Sequence, residues 1–115
     1  MSDSVPLQQL AADFCVAPQL DPAAMAAVAA AGFRSVINNR PDFEAGPSQP
    51  TSESIEAAAH AAGLVYAFLP VAPAVQTPEE IARMAALLAS LPRPILAFCR
   101  TGTRSGKLYR AATGT

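Results

Sequence analysis

Three short and almost uninterrupted apolar runs, Ser35-Val-Ile-Asn38, Leu64-Val-Tyr-Ala-Phe-Leu69 and Pro94-Ile-Leu-Ala-Phe98, alternate with stretches of helical periodicity. Strands alternating with helices confine a chain to an α/β fold with a mainly parallel central sheet, right-handed crossovers and flanking helices. Near-continuous apolar strands fit burial on both faces. The helical stretches carry their own punctuation. Asp21-Pro22 opens the first with a capping side chain and a proline, Met25, Val28 and Ala29 repeat on one face, and Gly32 stops it. Thr51 or Ser52 caps the second, which has Ile55, Ala58, Ala59 and Ala62 in phase and Gly63 at its end. Thr77-Pro-Glu-Glu80 has the form of a capping box, and Ile81, Met84, Ala85, Leu88 and Leu91 make the third helix strongly amphipathic. Phe14-Cys-Val16 is a candidate further strand. At 115 residues, the chain from 1 to 115 reads as a single domain with room for one core.

Composition narrows the function classes. About half of the residues are hydrophobic, 15% are charged and the net charge is −1, so nothing suggests a nucleic-acid surface or a basic membrane-binding face. The start, Met1-Ser-Asp-Ser-Val-Pro6, lacks a basic n-region and an apolar h-region, and no apolar run nears a membrane span; a cytoplasmic setting is expected. Cys15 and Cys99 are the two cysteines and His60 is the one histidine, which leaves neither a Cys/His metal cluster nor a disulfide scaffold, and no cofactor is expected. Cys15 reads as a packed side chain and His60 as a helical surface residue, a base only if the fold were to bring it to Cys99.

The chemistry concentrates in Cys99-Arg-Thr-Gly-Thr-Arg104, between the last apolar run and the helix-like Ser105-Gly-Lys-Leu-Tyr-Arg110. A strand delivers a thiol to its tip, a turn containing Gly102 curls around it, and a helix begins with its amides pointing back. Such a turn is a nest of N–H donors at a positive helix end. A free cysteine with a pKa of about 8.5 is mostly thiol at neutral pH, and such surroundings lower that value by roughly 1 to 5 pH units. Arg104 offers a planar, permanently charged fork for two oxygens. Gly102 permits positive φ or close backbone approach. Thr101, Thr103 and Ser105 are read as serving the loop through side-chain hydrogen bonds, with Ser105 also able to donate to the thiolate or cap the helix. For Arg100 three roles stay open: enlarging the anion site, steering substrate, or pointing to solvent. In open α/β sheets, ligands bind beyond the carboxyl ends of the strands. There the long segment from Asn38 to about Pro50 brings Arg40 and Asp42, as residues of the site rim or as partners in a buttressing salt bridge. The segment from Pro70 to Gln76 shapes a wall.

Val16-Ala-Pro-Gln-Leu20, the stretch Gly32 to Asp42 ending in Asn-Asn-Arg-Pro-Asp, Ala62-Gly-Leu-Val-Tyr66, Leu69-Pro-Val71 and Phe98-Cys-Arg-Thr-Gly-Thr-Arg-Ser105 together resemble one bacterial family. It is the β-lactamase hydrolase-like protein, phosphatase-like domain, also described as a sulfur transferase or phosphatase family. The resemblance spans roughly residues 10 to 110. It implies a protein tyrosine phosphatase-like fold, with Cys99 as nucleophile and Arg104 as oxyanion binder. Members fused to metallo-β-lactamase-like enzymes of persulfide oxidation imply sulfide metabolism as the setting and a persulfide-oxidising enzyme as a functional partner. Family domains usually continue past the helix after the loop, so a final helical segment is expected to be lacking here and one sheet face to be open.

Two chemistries fit the loop. Cysteine phosphatases generally have five residues between Cys and Arg, and many rhodanese-like sulfurtransferases have four; here Arg100 to Thr103 make four. Phosphatases of this type also protonate the leaving alkoxide with an aspartic acid on a neighbouring loop, and residues 70–78 offer none. Sulfur transfer from thiosulfate or a low-molecular-weight persulfide, through a Cys99 persulfide to a thiol or cyanide, releases a stable anion and needs little such help. A sulfurtransferase is therefore the first expectation and a phosphatase acting on a phosphate ester through phosphocysteine the second. The third, from another class, is a non-catalytic anion-binding or redox-sensing module.

Overall fold

The computed structural model describes residues 7–115. Five strands, β1 (Gln8–Ala11), β2 (Phe14–Ala17), β3 (Ser35–Asn38), β4 (Val65–Phe68) and β5 (Ile95–Phe98), form one sheet in the order β1-β2-β5-β3-β4. β1 pairs antiparallel with β2, and every other pairing is parallel. The helices are α1 (Met25–Ala30), α2 (Ser52–Ala61), α3 (Pro78–Ser90) and α4 (Thr103–Thr113).

Period-two alternation sorts the strands between two cores. Phe14, Val16, Ile37, Ile95 and Ala97 pack with Met84 and Leu88 of α3 and Leu108 of α4. Val36, Leu96 and Phe98 pack on the opposite side with Met25 and Val28 of α1 and Ile55 and Ala59 of α2. Helices therefore lie on both sheet faces, contrary to the expectation of one open face. Each fully buried large apolar side chain contributes about 1.5–3 kcal/mol. Stacking of Tyr109 on Phe14, with ring centroids 4.1 Å apart, fixes α4 against β2.

Local signals explain most boundaries. The Thr51 side chain caps α2 by accepting from the Ser54 amide, and Thr77 with Glu80 forms a complete capping box at α3. Asp21 caps as expected, but residues Pro22–Ala24 make a 3-10 turn before a short α1. β1 was not expected; its residues alternate weakly and it is held as an edge by pairing to β2. β4 is the other edge, so Val65 and Phe68 remain 41% and 36% exposed rather than buried on both faces.

The parallel register brings Ala17, Asn38, Phe68 and Phe98 into one row. Loops leaving the carboxyl ends of β2, β3, β4 and β5 consequently meet at one end of the sheet.

Candidate active site

Cys99 is the first residue beyond β5, and its amide donates to Ala17 O at 3.4 Å. The Gly102 amide closes the turn on Cys99 Sγ at 3.1 Å. Gly102 has φ 93°, and a Cβ there would lie 3.4 Å from the Ala17 carbonyl carbon and oxygen. Only glycine takes this left-handed conformation at little cost while letting the turn press against β2. α4 begins at once at Thr103, two residues earlier than Ser105, so the Ser105 amide in its first turn joins those of Thr101 and Gly102 at the sulfur.

Burial opposes charging of the Cys99 thiol. The amide and hydroxyl of Ser105 and the amides of Thr101 and Gly102 outweigh it and hold the thiol below the usual cysteine range. The Ser105 hydroxyl has a competing acceptor, because it donates to Asn39 Oδ1 at 2.9 Å. Asn39 Nδ2 donates to Leu69 O at 3.0 Å, which fixes Oδ1 as the acceptor end. One hydroxyl proton cannot serve Asn39 and the thiolate fully at once, so the amides are the secure part of the stabilisation.

Arg104 is 9% exposed and held by Glu44, a residue the sequence reading passed over. Arg104 Nη1 donates to Glu44 Oε2 and to Val71 O, and Nη2 donates to Glu44 Oε1, each at 3.0 Å. These bonds leave Nε–H and the second Nη2 proton, which lie on one edge of the guanidinium. That free edge is a preformed fork for two oxygens. Arg40 Nε also donates to Glu44 Oε1, at 2.9 Å, while its Nη1 donates to Gln19 Oε1 at 3.0 Å. Burial pushes the Glu44 carboxyl up, but hydrogen bonds and charge from Arg104 and Arg40 more than reverse this and hold it low. Glu44 is thus a standing anion that orients two arginines.

The remaining expected residues divide clearly. Arg40 reaches the cleft and makes the buttressing salt bridge, with Glu44 as its partner. Asp42 turns instead to α2, where Oδ1 accepts from the Ser52 amide at 2.7 Å. Thr101 and Thr103 are exposed and join hydroxyl to hydroxyl at 3.2 Å. Arg100 is exposed at the cleft mouth, and its carbonyl accepts from the Gln19 amide. His60 lies in the last turn of α2, whereas the start of α2 is the end nearer these loops, so it does not meet Cys99. Cys15 lies half-buried on β2, and burial raises its thiol.

Two adjoining hollows share Pro73, Arg100 and Arg104. One of about 220 Å³ covers Cys99 and is lined also by Thr101, Thr103 and Lys107. The other, about 380 Å³, extends over Arg40, Glu44 and Ala45. The 70–76 wall is tied down by Gln76, whose Nε2 donates to Arg104 O at 3.1 Å. Glu44 could have been noticed within the Asn38–Glu44 segment, but nothing local separates it from a surface glutamate. Gln19 and Asn39 lie within stretches that carry the family resemblance, but nothing local in the sequence gives either a role.

The sequence pattern of the family described as "Beta-lactamase hydrolase-like protein, phosphatase-like domain" matches residues 6–114. The chain belongs to this family. The Beta-lactamase hydrolase-like protein of Agrobacterium fabrum is 40% identical over 82 residues, 71% of this chain and 19% of that protein. Its namesake from Xylella fastidiosa strain Temecula1 is 41% identical over 78 residues, 68% of this chain and 18% of that one. The chain thus spans less than a fifth of the length of these relatives. Among solved structures, a proposed phosphatase from Neisseria meningitidis Z2491 is 32% identical with a TM-score of 0.83, over 93% of this chain and 78% of that one. TpbA of P. aeruginosa, solved as a cysteine-to-serine variant with phosphotyrosine, is 15% identical with a TM-score of 0.67, over 99% and 67% of the two chains. It shows the shared fold alone. The family, together with the Neisseria relative, supports an enzyme, a cysteine-based phosphatase or a relative of one.

Proposed function

We propose that this domain is a cysteine-dependent sulfurtransferase. The observation that carries the reading is the state of Glu44, the one carboxylate among the described residues lining the two hollows, which Arg40 and Arg104 hold ionised. A site with a stabilised thiolate, an arginine fork and no proton donor of the carboxylic type suits a leaving group that departs as a stable anion. Cys99 thiolate attacks the outer sulfur of thiosulfate, the S–S bond breaks, and sulfite leaves with the bonding pair. Loop amides and the free edge of Arg104 bind the departing oxyanion. A low-molecular-weight persulfide reacts in the same way, with a thiolate leaving. Cyanide or an acceptor thiol then removes the outer sulfur and restores the Cys99 thiolate, completing a ping-pong cycle. A functional link to a persulfide-oxidising metallo-β-lactamase-like enzyme fits this product chemistry.

Intact mass of the reduced protein after thiosulfate, and separately after glutathione persulfide, tests the reading against a Cys99→Ser control. One added sulfur on the wild type alone, removed by cyanide or thiol, is expected. Absence of that adduct on folded protein with both donors overturns it.

Phosphate-ester hydrolysis is the second reading, favoured by the fold shared with the Neisseria relative and with phosphotyrosine-bound TpbA. Cys99 would attack phosphorus, the ester P–O bond would break, and water would hydrolyse the phosphocysteine. With Glu44, the one carboxyl of the described hollow linings, held ionised, aryl phosphates with acidic phenols would be turned over and alkyl phosphates hardly at all. Cys99-dependent release of phosphate without sulfur uptake would establish this reading instead.

A further inference from the structure

The hollow beside the nucleophile loop holds more positive charge than one oxyanion requires. Arg40, Arg100 and Arg104 line it, and Glu44 is the sole carboxylate with them. Arg104 serves the reacting group through its free edge. Arg40 and Arg100 are left over.

Arg40 is the more informative of the two. It is only 7% exposed, and it uses Nε on Glu44 and Nη1 on Gln19. Nη2 makes no hydrogen bond to any described residue, although the side chain lines the hollow. No buried side-chain nitrogen or oxygen among the described residues lacks a partner, so the idle Nη2 is the part of Arg40 left open to the hollow, where an anionic acceptor can reach it. Arg100 forms no salt bridge among the described residues and stands at the junction of the two hollows. Ala45 and Pro73 give the space between them apolar walls. The reacting group has its own hollow over Cys99, whereas the roughly 380 Å³ beside it opens onto these two cations.

We propose that Arg40 and Arg100 form a second anion subsite, so that the preferred substrate carries an anionic group, such as a carboxylate, at a distance from its reacting end. This rests on the reading of the Cys99 loop as an oxyanion site, but not on whether sulfur or phosphorus is transferred. Bidentate or paired arginine recognition of a carboxylate would orient the substrate and favour two-ended anions over thiosulfate-sized ones.

Calorimetric binding to the Cys99→Ser protein at about 0.15 M salt, where distant surface charges are screened, tests this with two probe sets. One is sulfoacetate, 3-sulfopropionate and 4-sulfobutyrate; the other is the alkanesulfonates of matching length. At least one two-ended probe is expected to bind about tenfold or more tightly than its one-ended match, and Arg100→Gln and Arg40→Lys are each expected to bring the ratio towards one. Circular dichroism and urea unfolding verify that the variants remain folded. Equal binding of both sets to the parent overturns the second subsite while leaving the oxyanion loop intact. A high ratio that survives both arginine substitutions also overturns it. No binding of either set overturns the oxyanion loop and this inference together, whereas a high arginine-dependent ratio without sulfur uptake upholds the subsite and rejects only the sulfurtransferase reading.

Discussion

Replacing Glu44 by glutamine removes charge while nearly preserving shape. Oε1 accepts from Arg40 Nε and Arg104 Nη2, and Oε2 accepts from Arg104 Nη1, at 2.9–3.0 Å. The amide keeps one acceptor and turns an NH₂ group towards guanidinium donors. Breaking a buried ion pair by removing one partner costs about 3–5 kcal/mol, whereas exposed pairs are worth about 0–1 kcal/mol. Side-chain exposures of 8% and 9% for the arginines and 19% for Glu44 place this trio between those limits. A loss of about 2 kcal/mol in urea unfolding is expected. Arg104 retains only its bond to Val71 O as a firm anchor, so its fork drifts from the reacting group. Misplacement of this size lowers kcat/KM by roughly 10–100-fold.

Thiolate content separates this effect from general damage. Glu44 is negative, so its neutralisation does not disfavour the Cys99 anion, and the amides from Thr101, Gly102 and Ser105 are untouched. Alkylation of Cys99 by iodoacetamide should therefore continue at or above the wild-type rate while persulfide formation slows. Wild-type persulfide formation in a folded Glu44→Gln protein would refute the clamp. The pH dependence supplies a second reading of the same interaction. The folded carboxyl titrates below its unfolded value, so its contribution is complete above the ordinary glutamate range of about 4.3 and fades as pH falls through the lowered folded value. The stability gap between wild type and Glu44→Gln should close on acidification rather than on raising pH.

Alkylation of Cys99 should reach its plateau with a midpoint below the ordinary thiol value of about 8.5, and Cys15 above it, as peptide mapping across pH would reveal. Ser105→Ala should move the Cys99 midpoint upward, and an unchanged midpoint would leave the amides as the whole stabilisation. Gly102→Ala places a side chain at φ 93° beside Ala17 and should cost about 1–2 kcal/mol with loss of the low thiol midpoint; unchanged unfolding would refute the strained turn. Asp42→Ala should lose about 1 kcal/mol through the freed Ser52 amide and leave the pH profile of turnover intact. A fall of roughly 100–10,000-fold in phosphate-ester cleavage would instead make Asp42 an acid that swings into the cleft.

Local signals carried the fold a long way. Thr51, Thr77 with Glu80, and the near-continuous apolar runs of β3 and β5 each act within a few residues, so their outcomes are legible in order along the chain. The turn from Cys99 to Arg104 is equally local, which is why its shape could be read from Gly102 and the helix that follows. β1 escaped notice because an edge strand depends on its neighbour more than on its own alternation. Glu44 escaped because its meaning lies in Arg104, a partner that only the parallel register brings near. Arg40 shows the intermediate case: its loop was legible, but whether it faced Asp42, Glu44 or substrate depended on Asn38 and Gln19. Asn38 Oδ1 accepts from the Arg40 amide at 2.9 Å, while Gln19 takes the far end of the side chain.

The same clamp bears on the choice of chemistry. A carboxylate placed to serve as general acid needs its proton near neutral pH, which burial without cationic partners would favour. Glu44 has the reverse surroundings, with two guanidinium groups sharing its oxygens. Making it a better proton donor would mean removing the contacts that aim Arg104. Orientation of the oxyanion fork and protonation of the leaving group are thus competing uses of one side chain, and this arrangement serves orientation. On the proposed reading, such a site would discriminate by leaving group: sulfite and thiolates would depart as anions, acidic phenols would follow, and alkoxides would be disfavoured. The sulfurtransferase reading and a phosphatase confined to activated esters lie on this one scale, with the protonation demand of the departing atom separating them.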